Sequence, residues 1–201
     1  MKKIISFFSY LFHPVFTSLY GVLLFFLVQE TSYSTHQVGL VIVQISILTL
    51  FIPIAFYYLL KSVGKINSVM ATNIDERKFP LLIQAFLLFI VAKDSIKIDQ
   101  LEELHYFFIG LIISSIISFA LLFIKNKASL HLVSISSLTA FVVGLSCSNQ
   151  SNNLVLISIL FMLIGFIATS RLELKAHTLR EVIIGFCIGF FSQMIVWKFW
   201  L

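Results

Sequence analysis

Charge is scarce in this sequence. Of its 201 residues only 11% are Asp, Glu, Lys or Arg, whereas 59% are hydrophobic and the mean hydropathy is +1.03. A soluble single domain of this length lacks the interior to hide so much apolar surface, which excludes that class. Cysteine is nearly missing: Cys147 and Cys187 lie in different apolar segments. They form no CxxC or Cys/His cluster, so neither a disulfide framework nor a zinc site is readable. Internal repeats, low-complexity stretches and long polar loops are also lacking. The chain therefore reads as one integral membrane domain over residues 1–201, with no cofactor and no nucleic acid among its expected partners.

What is present is a succession of apolar runs, each long enough to cross a bilayer. They fall at about 14–30, 37–62, 79–96, 103–124, 129–147, 152–170 and 178–199. The fold class is an all-α polytopic transmembrane bundle of about seven spans, with six as the alternative count. The third run is the weakest, since Lys93 and Asp94 close it early. Pro53 interrupts the second and is expected to kink it. The N-terminal "MKKIISFFSYLFHPVF" has the lysines and apolar stretch of a signal peptide but no small-residue cleavage site. It is expected to stay as an interfacial segment leading into the first span.

Seven crossings put the N-terminus and the loops near 62–80, 125–128 and 170–178 on one side. That side carries eleven of the 14 basic residues, and the positive-inside rule makes it cytoplasmic. Removing Arg77, Lys127, Arg171 and Arg180 as possible anion ligands still leaves seven against Lys93, Lys97 and Lys198. Trp197 and Trp200 suit the opposite interface, ring in the acyl region and N–H wet. Gly185 and Gly189 form a small-xxx-small pair, favouring helix packing inside the bundle over a seam between two copies.

Three polar stretches share the basic side: "NIDERKFP" (73–80), "KNKASLHL" (125–132) and "SRLELKAHTLRE" (170–181). Each abuts the start of a helix, where free N–H groups and the macrodipole favour an anion. Added Arg and Lys make phosphate the natural ligand. Ser170, Arg171, His177 and Glu181 form Ser-Arg-x5-His-x3-acid. This resembles the third signature of the type 2 phosphatidic acid phosphatase superfamily, where the last acid is Asp. One hairpin earlier, "ASLH" is similar to the family's Pro-Ser-Gly-His. Ser129 and His131 are aligned there, while Ala128 and Leu130 replace Pro and Gly. The first signature, Lys-x6-Arg-Pro, is not present as written. "ERKFP" offers Arg77 and Pro80, and Lys125 or Lys127 stands ready as the missing cation.

The resemblance implies metal-free hydrolysis of a phosphorylated or diphosphorylated lipid, phosphatidate-like or polyprenyl, through a phosphohistidine. In that scheme His177 is the nucleophile, Glu181 orients it, and His131 protonates the leaving alcohol. Arg171, with Arg77 and Lys127 or Lys125, neutralises the phosphoryl oxygens, and Ser129 and Ser170 complete the cradle. If such a site exists, His131, His177 and Arg171 should converge within a few ångströms around one polar cavity, whereas a degenerate site would leave them splayed. The family analogy puts a bacterial inner-membrane site on the extracytoplasmic face, against the basic-residue count.

Plainer readings stand beside these. Thr178-x-x-Glu181 is itself a capping box; with Thr178 as N-cap, His177 lies outside the helix and the shared helical face of residues i and i+4 is lost. His131 also reads as an interfacial histidine, and Arg77, Lys78, Lys61 and Lys65 as topology determinants. His13, His36 and His105 show no metal-ligand spacing. The alternative from another class is a non-catalytic membrane protein that keeps the scaffold and binds lipid headgroups. A transporter is less favoured, since the ionisable groups lie near span ends. Prenyl transfer would need more carboxylates for magnesium than Asp75 and Glu76.

Overall fold

A computed structural model describes residues 10–29, 33–64, 74–96 and 101–201. Among them all regular structure is helical. α1 (Pro14–Val28) opens with a 3-10 turn, and α2 (Thr35–Ser62) follows. α3 (Ile74–Ile90) continues into a π-helical turn, Val91–Ser95. Then come α4 (Glu102–Phe123), α5 (Leu130–Ser148), α6 (Leu154–Glu173) and α7 (Leu179–Trp200). Five of these, α2 and α4 to α7, are long and apolar enough to cross a membrane. Their outward faces carry large apolar side chains such as Leu40, Phe51, Ile116, Met162 and Phe191. Water would not tolerate such a surface, and the chain is a multi-span membrane protein. α1 is shorter than a full span, and of the expected interfacial segment at residues 1–16 the first nine lie outside the described residues.

Pro53 disturbs α2 in a specific way. It has no N–H to give the carbonyl one turn back, and the helix widens into a π-turn at Ile47–Phe51, closed by the Ile52 N–H on the Ile47 carbonyl. α-Helix then resumes with Pro53 in its first turn, where a missing donor costs least.

α5 is the axis of the bundle, buried without interruption from His131 to Val142. It packs against α7, α6 and α1. Its hydroxyls are accommodated locally: Ser136 donates to the Leu132 carbonyl (2.6 Å) and Thr139 to that of Ile135 (2.8 Å). Ser137 crosses to the Gly189 carbonyl of α7 (3.2 Å). The closeness of α5 and α7 follows from the glycine pair. A Cβ on Gly185 would lie 2.6 Å from the Ser129 carbonyl, and one on Gly189 would collide with Val133 and Ser136. Both glycines thus face α5 of their own chain, where side-chain-free surface lets backbones approach. Trp197 and Trp200 differ from expectation. Their indoles turn inward over Gly144 and their Nε1 atoms are buried, because that glycine leaves a gap that the rings fill.

Three helix ends close alike. Lys125, Gln150 and Lys175, at φ 54°, 50° and 51°, follow α4, α5 and α6 in the left-handed region that glycine usually takes. After α4, Lys125 N–H bonds Leu122 O and Asn126 N–H bonds Leu121 O; after α6, Lys175 N–H bonds Leu172 O and Ala176 N–H bonds Arg171 O. These are Schellman closures, and they reverse the chain sharply enough to bring the 125–129 and 174–178 loops together at one end of the bundle.

Candidate active site

The Schellman turn after α6 folds residues 175–177 back over the helix end, so that the Arg171 carbonyl also receives the His177 N–H (3.4 Å). Thr178 then caps α7. Its hydroxyl accepts the Glu181 N–H (3.3 Å), and Glu181 Oε2 accepts the Thr178 N–H (3.3 Å) in a reciprocal capping box. The same Oε2 lies 2.7 Å from His177 Nδ1. His177 therefore does precede the helix, and the argument from a shared helical face does not apply. The contact forms because the carboxylate, reaching back to cap, passes the N-cap and meets the imidazole. Cap and histidine partner are one carboxylate.

The His177 side chain is only 5% exposed. Burial pushes its pKa below the ordinary histidine value; the Glu181 hydrogen bond opposes this, while the charges of Arg77 and Lys127 act in the direction of burial. A neutral ring hydrogen-bonded to a carboxylate carries its proton on Nδ1, which leaves the Nε2 lone pair free for chemistry. Lys127 Nζ stands 3.8 Å from Glu181 Oε2 and completes the local charge balance.

Beside this pair lies a cavity of about 690 Å³. Arg77, Lys127, His131, Arg171, Lys175 and His177 are among its lining residues. All three polar stretches of the sequence contribute to it. Arg171 is 2% exposed on the last turn of α6, and His131 is buried in the first turn of α5. Elsewhere the lining mixes apolar side chains, among them Ile54 and Phe56 of α2, Leu81 and Leu88 of α3 and Leu111 of α4, with hydroxyls such as Ser114, Ser115 and Ser118 of α4.

Some expected members stand elsewhere. Ser129 and Ser170 do not line the cavity; both are buried in helix packing, and the Ser129 N–H is taken by the Glu181 carbonyl (3.0 Å). That bond splices α5 to α7, so Ser129 serves to register the two helices that carry His131 and Glu181. Lys125 is exposed in its left-handed turn and lies outside the lining as well. The converse holds for two residues assigned no role. Lys175 borders the cavity, and His13 lines it with its ring centroid 5.4 Å from that of His131. The available signal for His13 was its place: a polar residue before proline, at the start of a span, on the basic side. His105 bonds the Ile96 carbonyl (3.0 Å), and His36 is exposed at the start of α2. Among the described residues no three His, Cys, Asp or Glu side chains group as metal ligands.

No family model, curated protein or solved structure matches this chain.

Proposed function

We propose that the chain is a membrane-embedded lipid phosphatase of the type 2 phosphatidic acid phosphatase kind, hydrolysing a phosphate or diphosphate monoester of a lipid. The observation that carries this reading is that His131, Arg171 and His177 line one cavity, with His177 Nδ1 on Glu181. The cavity is amphipathic. Its cationic side chains suit a phosphoryl group, and its apolar ones suit the chain of the molecule bearing it.

In this reading the His177 Nε2 lone pair attacks phosphorus. The bond from phosphorus to the lipid oxygen breaks, and that oxygen takes a proton from His131 as it leaves. Phosphorylation makes the His177 ring cationic, and Glu181, on Nδ1–H, stabilises it. Water then attacks the phosphohistidine, its proton going to the now neutral His131, and phosphate departs from a regenerated His177. Arg171, Arg77 and Lys127 compensate the charge on the non-bridging oxygens throughout.

The test is phosphate release from phosphatidic acid and from a polyprenyl diphosphate in detergent, comparing wild type with His177→Ala. The variant is expected to lose activity by a factor on the order of 10³ or more. Absence of hydrolysis by wild type, or full activity in the variant, overturns the enzyme reading; headgroup binding without turnover would favour the non-catalytic alternative. The basic-residue count supports a cytoplasmic site. A cysteine at Asn126 should accordingly escape an impermeant thiol reagent in intact cells, and its labelling would reverse that assignment.

A further inference from the structure

His13 belongs to no motif, yet it is held from two sides, by the turn it caps and by the ring of His131. Its Nδ1 accepts the Val15 N–H (3.3 Å), capping the 3-10 turn that opens α1. Pro14 sets the backbone of that turn. The Thr17 hydroxyl donates to the Pro14 carbonyl (2.7 Å) and also bonds the Ser134 hydroxyl of α5. Ser134 lies one helical turn beyond His131, on the same face. The turn bearing His13 is thus fastened to the helix bearing His131 one helical turn along from that histidine. The rings themselves meet edge to face, at 86° with centroids 5.4 Å apart, within the range where aromatic pairs attract and orient one another.

We propose that His13 is a positioning residue for His131, its ring holding the His131 imidazole in the orientation that delivers a proton to the leaving lipid oxygen. The inference rests on the phosphatase reading and deepens it. With Nδ1 occupied by the Val15 N–H, a neutral His13 keeps its proton on Nε2. Burial, reinforced by the charge of Arg171, lowers its pKa from the ordinary value, so the ring adds no further positive charge beside the cations of the cavity. His131 sits in the first helical turn, and the His13 ring packs against it edge to face from outside that helix. The α1 turn supplies that packing, which gives the histidine-proline pair at the start of α1 a role.

The test separates positioning of an acid from general support of the fold by varying the leaving group. An alkyl phosphate such as dodecyl phosphate needs a proton on its departing oxygen, whereas p-nitrophenyl phosphate releases an anion that needs none. His13→Asn keeps a good N-cap for Val15 but removes the ring. It is expected to lower kcat for dodecyl phosphate about tenfold or more, and to leave its KM and the rate with p-nitrophenyl phosphate within about twofold. His13→Phe restores the ring without the cap and should recover most of the lost kcat. In a His131→Ala background His13→Asn should cost nothing further, since the two act through one step. The proposal is overturned if His13→Asn leaves alkyl phosphate turnover unchanged, slows both substrates equally, or is not rescued by His13→Phe. Those outcomes leave the phosphatase reading intact; failure of wild type to hydrolyse either substrate removes both.

Discussion

Glu181 Oε2 lies 2.7 Å from His177 Nδ1 and accepts the Thr178 N–H at 3.3 Å, so one carboxylate oxygen both caps α7 and holds the imidazole that precedes it. The start of the helix and the histidine cannot be displaced independently. Local folding of the last span is what sets the geometry of the candidate nucleophile.

Glutamine at position 181 distinguishes the two duties. A capping box accepts Glu or Gln, so Glu181→Gln should melt close to wild type. The variant lacks the negative charge that offsets a cationic, phosphorylated His177. Its kcat is expected to fall by roughly 10²- to 10⁴-fold, as when the acid of a histidine pair is neutralised elsewhere. Thermal unfolding and phosphate release on the same preparation check both halves.

The pH dependence follows from His177. The neutral ring is the reactive form, and burial sets its folded pKa below the ordinary 6.5. The acid limb of kcat/KM should therefore lie below that value, with activity lost as pH falls through it. Stability shifts in the same direction. Below about 6.5 the unfolded chain binds a proton that the folded ring resists, so this contribution is complete above the unfolded pKa and is lost as pH falls through the folded one. The lowered pKa of His13 adds to the effect. Melting temperature should fall between about pH 7.5 and pH 5.5, and fall less in His177→Gln.

Lys125 and Lys127, interchangeable in the sequence, should behave differently. Lys125 occupies a left-handed position outside the cavity, where a Cβ costs about 1 kcal/mol, so Lys125→Gly is expected to stabilise by about that amount and leave hydrolysis unchanged. Lys127 lines the cavity 3.8 Å from Glu181. Lys127→Ala should reduce turnover, and melting curves beside activity assays on both variants show the contrast.

Valine at Gly189 would drive a branched side chain into Val133 and Ser136. Overpacking of this kind costs about 1–3 kcal/mol or more, and here it would also part α5 from α7. Gly189→Val should melt earlier and lose activity with no change of oligomeric state by size-exclusion light scattering. A change of oligomeric state at full stability would assign the glycine pair to a contact between copies instead.

The five long helices were legible in the sequence because a bilayer imposes a length. α3, by contrast, begins at Ile74 and not near 79, since the charged stretch ahead of Pro80 is itself helical, and neither it nor α1 is one of the five. Arg171, His177 and Glu181 were legible as a set because they lie within eleven consecutive positions. Glu181 illustrates the limit of spacing. The sequence offered cap or histidine partner as rivals, and only a turn built on a left-handed Lys175 allowed one oxygen to be both.

Composition and periodicity thus determined that this is a helical membrane bundle, and the three polar stretches marked out by their charge all contribute residues to one cavity. Tertiary structure decided which members of those stretches face one another. Ser129 was withdrawn from the cavity by the α5–α7 splice, Lys125 by its helix cap, and His13 was brought in from more than a hundred residues away by a hydroxyl pair between Thr17 and Ser134. The physical reason is range. Hydropathy and capping act over a few residues and are written locally, whereas the side of a loop that meets a cavity depends on how distant helices pack.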